Sequence, residues 1–511
     1  MRNINRYIVI IGILIFLQLS GCSKFEDINT NQDQTSDVSA SMLCTKVILD
    51  VTKFNSEAKA LITESAVAKY IGYANEGQMD EQYYKLNHTG FGGMTMLPNA
   101  EKMIEYADGL LAENSYKGVA KFARAYLFYN ITMKVGDIPY SEANLGGEGV
   151  YKPKYDLQEE VFVGILNELS EAADYFALDE ADGQVFDGDP TPYGGDPAKW
   201  RRAVNSFALK VLMTLSEKTS VTSLEISNRF AQIVSDGHIL EPSTGFYGLI
   251  YSSTNRHPLT ATNDLFTSKT VISSLLIDNL KNLNDRRMYY FSDPSVEQIT
   301  NGLTESEPGA YVGVDVDENY DVMNANHSAG VYSLINSRYR ILDNPEPRML
   351  ITYGEQQLIL AEASILGWIG GSAQTYYEQG VQSALAEFVT QDASYAHGMA
   401  IDQAYIDGYF TGEAAFKATT QEQLEQIWMQ RYIINFMQDA HSSFFEYRRN
   451  NYPDFPVDPA TSLNANSLSA VPMRWLYPEG ENTYNQENYI EALNRQYDGY
   501  DEINKIMWLL Q

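Results

Sequence analysis

The sequence predicts an all-α protein: a scaffold of paired helices that look like degenerate tetratricopeptide units, carrying long irregular loop insertions. Three observations predict it. Small and apolar residues recur at helical spacing, as Ala120, Ala123, Leu127 and Ile131, then Gly354, Leu358, Ala361 and Ile365, then Ala373, Tyr377, Gly380, Ala384 and Phe388. Only a short turn separates the members of a pair, Gly370-Gly371 in the later one, which makes the two helices antiparallel and lets small residues bring them close. Each pair occupies about 35 to 40 residues, the length of a helix–turn–helix repeat unit.

Taken from the N-terminus, Arg2 and Arg6 precede an apolar run from Tyr7 to Leu17. A run of that length falls short of a bilayer core of about 30 Å and reads as the h-region of an export signal. Leu19-Ser20-Gly21-Cys22 then resembles a bacterial lipobox, in which the cysteine sulfur receives diacylglycerol and cleavage makes Cys22 the new N-terminus. An ordinary signal peptide ahead of a chance cysteine is the alternative. The expected organisation is a signal peptide at 1–21, a lipid anchor and polar tether at 22–39, and one domain at 40–511. The second cysteine, Cys44, lies in the apolar helical pattern "SMLCTKVILDV" and reads as a small buried hydrophobe, so no disulfide is expected.

Helices are predicted at about 42–53, 56–73, 99–113, 156–177, 197–218, 223–236, 268–282, 399–409 and 421–438, besides the segments named above. Between Gly237 and Arg348 the composition shifts to Tyr, Asn, Ser, Gly and Asp with short apolar bursts. There "STGFYGLIYSSTNRHP" and "AGVYSLINSRYRIL" read as short strands. A second irregular region runs from about 450 to 489. Long loops on a rigid scaffold are where binding residues concentrate.

Acidic residues outnumber basic ones 67 to 36, a net charge of −31 that becomes −33 when Arg2 and Arg6 are cleaved away. Such a surface repels phosphate backbones and anionic headgroups, which excludes nucleic-acid binding and leaves the lipid alone to hold the chain at a membrane. Enzymatic motifs are missing as well. The six histidines are scattered, none at i, i+4, and there is no H-E-x-x-H, no G-x-S-x-G elbow and no phosphate-cradling glycine loop. We therefore expect neither catalysis nor a cofactor. One stretch, "DVDENYD", sets Asp315, Asp317, Asn319 and Asp321 at alternate positions like the start of a calcium loop. However, Tyr320 stands where the EF-hand needs glycine and Asn326 where it needs a bidentate Glu. A looser structural calcium site is the weak expectation that remains.

A pyranose offers C–H faces that stack on aromatic rings and a hydroxyl rim that bonds amides and carboxylates. Thirty-six tyrosines fall largely in the loop regions. They nominate three clusters for ligand contact: Tyr83, Tyr84, Asn87 and Phe91; Tyr289 and Tyr290; Tyr320 and Tyr332. The competing account makes these tyrosines loop anchors. Trp200, Trp368 and Trp428 lie in helical patterns and read as structural, with Trp475 undecided.

Five stretches are similar to landmarks of one family: "CSKFEDINTNQD" (with Gln32 where a proline is usual), "VGDIPYSEA", "TPYGGDPAKWRRAVNSFALKVLMTLSEKT", "EYRRNNYPDFP" and "VPMRWLYPEGENTYNQENYIEA". On these the chain resembles the SusD/RagB family, in its SusD-like branch, over nearly the whole mature length. The resemblance implies four tetratricopeptide-like helix pairs and an outer-membrane lipoprotein facing the cell exterior. It also implies a SusC-type TonB-dependent transporter as partner, and capture of an oligosaccharide, or for some members a peptide, without bond cleavage. A helical-repeat scaffold that binds only protein is the alternative. The landmarks also have local roles: Asp196 caps a helix with Pro197 at its first position, Tyr140 packs back on the helix before it, and Arg474 pairs with Glu481.

Overall fold

Ser39 opens the first helix of the computed structural model, its Oγ accepting a hydrogen bond from Met42 N as a polar residue before an apolar run should. The structure describes residues 38–53, 58–74, 79–260 and 268–511, so Cys22, the signal peptide and nearly all of the tether lie outside the described residues. We label α1 (Ala40–Thr52), α2 (Ala58–Val67), α3 (Leu97–Ala107), α4 (Glu113–Val135), α5 (Gln158–Ala181), α6 (Pro197–Thr214) and α7 (Ile226–Asp236). There follow α8 (Ser274–Asn282), α9 (Tyr320–Ser328), α10 (Tyr353–Ile365), α11 (Ala373–Ala386), α12 (Thr420–Ile434), α13 (Ala440–Asn450) and α14 (Gln486–Tyr497). The strands are β1 (Ile71–Tyr73), β2 (Phe246–Leu249), β3 (Thr270–Ile272) and β4 (Arg348–Thr352), forming two antiparallel pairs, β1 with β3 and β2 with β4. No helix of the described residues is long and apolar enough to cross a membrane.

The fold is mostly helical and built from pairs: α4 packs along α5, α5 along α6, and α10 along α11. Glycine sets the spacing in the last pair. A Cβ on Gly354 would meet Gly380 O at 3.0 Å and one on Gly380 would meet Gly354 O at 2.9 Å, so the two backbones touch. Between α4 and α6 the core is aromatic. The Trp200 indole lies 5.8 Å from Phe122, 5.5 Å from Phe176 and 5.0 Å from Tyr247, and its Nε1 donates to Asp189 Oδ2 at 2.7 Å. Asp196 caps α6 through Ala198 N, with Pro197 in its first turn, and Tyr140 packs edge-on against Phe128 at 4.9 Å. Cys44 is fully buried and its thiol is pushed well up by that burial.

A second core, of charge, joins the later helices. Arg431 of α12 bonds Glu446 of α13 at 2.7 Å and faces Glu355 and Glu362 of α10 at 3.4 and 3.5 Å. Arg449 bonds Glu362 and Glu446 at 2.7 Å each, and Lys210 of α6 reaches Glu355 at 3.1 Å. Arg431 and Glu362 are each 1% exposed, so these charges hold one another rather than water.

Several expectations are corrected. The helix expected over 56–73 ends at Val67: Lys69 takes φ +61°, and Ile71–Tyr73 turns into a strand because β3 supplies backbone partners. By the same pairing, the start of the helix expected at 268–282 is β3. "AGVYSLINSRYRIL" is not a strand; Leu334 and Ile335 make single bridges and Arg338–Ile341 is a helical turn. Arg474 pairs with Asp501 at 2.6 Å, while Glu481 accepts from Tyr155 Oη, so the expected Arg474–Glu481 pair does not form. Trp475 is buried, edge-on to His441 at 5.3 Å and Phe444 at 5.3 Å.

The loop-rich region after α7 is stitched to the scaffold by the two strand pairs. Beneath α9 it has a small apolar core of its own, Ala74, Val271, Val314, Val316 and Met323, with Tyr332 and Leu334 packed against it.

Candidate functional site

The loop leading into α9 draws two of the predicted tyrosine clusters together. Tyr83 Oη donates to Glu318 O at 3.0 Å, Tyr332 Oη to Glu318 Oε1 at 2.5 Å, and Asn326 Nδ2 to Tyr332 Oη at 2.9 Å. Tyr84 Oη donates to Pro456 O, and the Lys69 ammonium, itself bonded to Gln82 O, sits 3.5 Å over the Tyr84 ring. Tyr83 and Tyr84 are buried, so their ring faces meet protein. Tyr289 and Tyr290 are buried too: Tyr289 Oη donates to Ser306 O at 3.0 Å, and the Tyr290 ring lies 5.2 Å from Phe388. Asn87 is exposed, while Phe91, Tyr320 and Tyr332 are half-buried.

Of the four calcium candidates, two meet. The Asp315 and Asp317 carboxyls are hydrogen-bonded, and burial together with that bond pushes Asp317 up to about 7 against the opposing charge of Lys69. Asn319 instead caps α9, its Oδ1 accepting from Asp321 N at 2.9 Å. Among the described residues no group of three or more His, Cys, Asp or Glu side chains converges as a metal set. A folded pKa raised above the ordinary 3.8 means a contribution that is full below 3.8 and lost as pH rises through about 7. Asp317→Asn, which stays neutral, is therefore expected to melt at a higher temperature than the parent at pH 8 and at nearly the same temperature at pH 4, by calorimetry.

Next to the Phe91 turn lies a cavity of about 410 Å³, within the size range of small-molecule sites. Its wall on α4 is a polar stripe, Tyr126, Asn130 and Lys134, four residues apart and half-buried in a helix whose other faces are mostly buried. Facing it are Glu64 of α2, Arg348 of β4, and Asp439 and His441 at the start of α13. Asn130 Nδ2 donates to Tyr126 O at 2.9 Å, His441 Nδ1 stands 3.8 Å from Glu64 Oε1, and Lys134 Nζ lies 5.5 Å over the Trp475 ring. Burial raises Glu64, with Lys134 and Arg348 opposing; burial lowers Lys134; and burial with the Lys134 and Arg348 charges drives His441 well down, so it is neutral.

A larger opening of about 500 Å³, between α8 and the start of α12, is also lined by amides. Its two glutamines are spent on the fold. Gln426 Nε2 donates to the carbonyls of Glu413, Ala414 and Ala415 at 3.3, 3.3 and 3.0 Å, and Gln430 is held between Arg287 and Tyr409. The α4 cavity is the stronger candidate, because it sets a half-buried ring, an amide and the Lys134 ammonium, unpaired among the described residues, around one space. None of its residues was nominated from the sequence, although Tyr126-x3-Asn130-x3-Lys134 interrupts an apolar helical pattern at one-turn intervals and was a usable signal.

The SusD-like family model, described as "Starch-binding associating with outer membrane", matches residues 32–478. No curated protein sequence matches the chain. Among solved structures, a SusD homologue from Bacteroides fragilis is 36% identical with a TM-score of 0.88, covering 93% of this chain and 100% of its own. A second SusD homologue from Bacteroides fragilis is 33% identical with a TM-score of 0.81, with the same coverage of 93% and 100%. A chitin-binding SusD homologue from Flavobacterium johnsoniae, 17% identical with a TM-score of 0.73 over 92% of this chain and 98% of its own, shares the fold.

Proposed function

Since the chain belongs to the SusD-like family, whose members are outer-membrane-associated binding proteins rather than enzymes, we propose that it captures an oligosaccharide at the cell surface and delivers it to a SusC-type TonB-dependent transporter. Cys22 is its lipid anchor in this reading. The match over residues 32–478 carries it. The α4 cavity supports it with a half-buried ring, an amide and charged groups around a space of sugar size, the combination that stacks on a pyranose face and bonds its rim.

The test uses the chain from Ser23 onward in affinity gels and titration calorimetry against a panel of oligosaccharides that includes starch and chitin oligomers, with a peptide library as a separate arm. At least one glycan is expected to bind without being shortened over hours. The Tyr126→Ala/Asn130→Ala double variant should lose about tenfold in affinity, measured well below its own melting temperature because the Tyr126 ring also packs on Phe207 at 5.2 Å. Binding to peptides alone, or to neither class, overturns the reading; glycan binding that the double variant leaves untouched overturns the site.

A further inference from the structure

The α4 cavity has a surplus of positive charge in a protein of the opposite character. The chain carries 67 acidic and 36 basic residues, yet four cations, Lys46, Lys53, Lys134 and Arg348, line this cavity against three carboxylates, Asp50, Glu64 and Asp439. Those carboxylates are engaged. Asp50 pairs with Lys46; Asp439 caps α13 through Ser442 N at 3.2 Å and lies 3.7 Å from Lys210; Glu64, 3.8 Å from the neutral His441, is the one carboxylate set against both Lys134 and Arg348. Lys134 is different. Among the described residues none accepts a hydrogen bond from its ammonium, which lies over the Trp475 ring face and feels the Glu64 and Asp439 charges without pairing with either. A half-buried ammonium facing a cavity, without a hydrogen-bonded counter-ion, is a poorly solvated charge that an incoming anion stabilises. Arg348 stands on the opposite wall, and both cations act on Glu64 and on His441, so their fields overlap inside the space. Asn130 and Tyr126, one and two turns back along α4, supply an amide and a ring beside the charge.

We propose that this cavity recognises an acidic saccharide unit, with its carboxylate or sulfate group held by Lys134 opposite Arg348 and its ring beside Tyr126 and Asn130. The inference rests on the glycan-binding reading above and narrows it to a charged sugar class. Electrostatic recognition of this kind weakens as salt rises, whereas stacking does not.

The experiment compares, by titration calorimetry, pectin-derived oligogalacturonides with their carboxyl-reduced forms, and sulfated galactan oligomers with their desulfated forms. At least one acidic ligand should bind about tenfold or more tightly than its uncharged counterpart at 50 mM NaCl, with the gap shrinking at 500 mM. The pair that shows the gap identifies the anion as carboxylate or sulfate. Lys134→Met should close the gap, weakening the acidic ligand far more than the uncharged form. Asn130→Asp, which keeps Lys134 but adds a negative charge to the same wall, should weaken the acidic ligand by more than it weakens the uncharged one. Lys85→Met, at an exposed pair with Asp80, serves as the control without effect. Uncharged glycans that bind as well as acidic ones, or a gap that both α4 variants leave intact, overturn this inference and leave the glycan reading standing. Failure of every glycan to bind overturns both.

Discussion

An Arg431→Met variant is expected to unfold about 3–5 kcal/mol more easily than the parent in guanidinium titration. The side chain is 1% exposed and faces Glu355, Glu362 and Glu446 at 3.4, 3.5 and 2.7 Å. Removing the guanidinium leaves three carboxylates with Arg449 and Lys210 alone, in a place water does not reach. The pH dependence identifies the cause. Burial by itself pushes Glu446 up, but Arg431 and Arg449 outweigh it and hold the carboxyl at about 2, below its ordinary 4.5. A depressed carboxyl stabilises the fold fully above 4.5, and that contribution disappears as pH falls toward 2. The difference between parent and variant should thus narrow across that window. A deficit that stays constant from pH 6 to pH 3 would point to lost packing instead of lost charge pairing.

Gly195→Ala is expected to destabilise by at least about 3 kcal/mol, combining left-handed backbone strain with a steric conflict. Gly195 has φ +80°, and a Cβ there would lie 1.9 Å from Phe186 O. Its amide donates to Asp189 Oδ2 at 2.8 Å, the same oxygen that accepts from Trp200 Nε1, so displacing the turn disturbs the centre of the aromatic core. Gly194 is the internal comparison: at φ +59° it has open space, and Gly194→Ala should cost only about 1–2 kcal/mol. Thermal melts followed by tryptophan fluorescence separate the two. Equal losses at both positions would mean that backbone strain alone governs this turn.

Helices with a one-sided apolar stripe were readable from the sequence; helices and strands set by distant partners were not. α10 and α11 begin and end within about two residues of their predicted limits, because Leu358, Ala361, Gly380 and Ala384 repeat on one face. α13 went unpredicted because Ser442, Ser443, Glu446 and Arg448 are buried alongside Phe444 and Phe445, which leaves no polar face to define a period. α14 is not among the predicted helices, and only its first turn falls within the stretch read as irregular. β1 and β3 pair across about two hundred residues of sequence, and a three-residue stretch is too short for its pattern to distinguish strand from helix. At the site, tyrosine abundance was the guide. It led to Tyr83, Tyr84, Tyr289 and Tyr290, whose hydroxyls the fold uses as anchors, and not to Tyr126, which lies mid-helix in a pattern of apolar neighbours. Composition locates aromatic-rich regions, whereas the direction a ring faces depends on packing partners that sequence spacing does not encode.

The apolar patch under α9 has five buried members, against the continuous interior of the trunk. Cohesion on that scale is a small fraction of what holds the helix pairs, so the cap built on it can loosen, or be rewritten by mutation, while the trunk keeps its shape. Amide exchange in Tyr320–Ser328 should then outpace that of the long central helices. A chain divided this way can accept substitutions in the α9 region at little cost to the folding of the helix pairs.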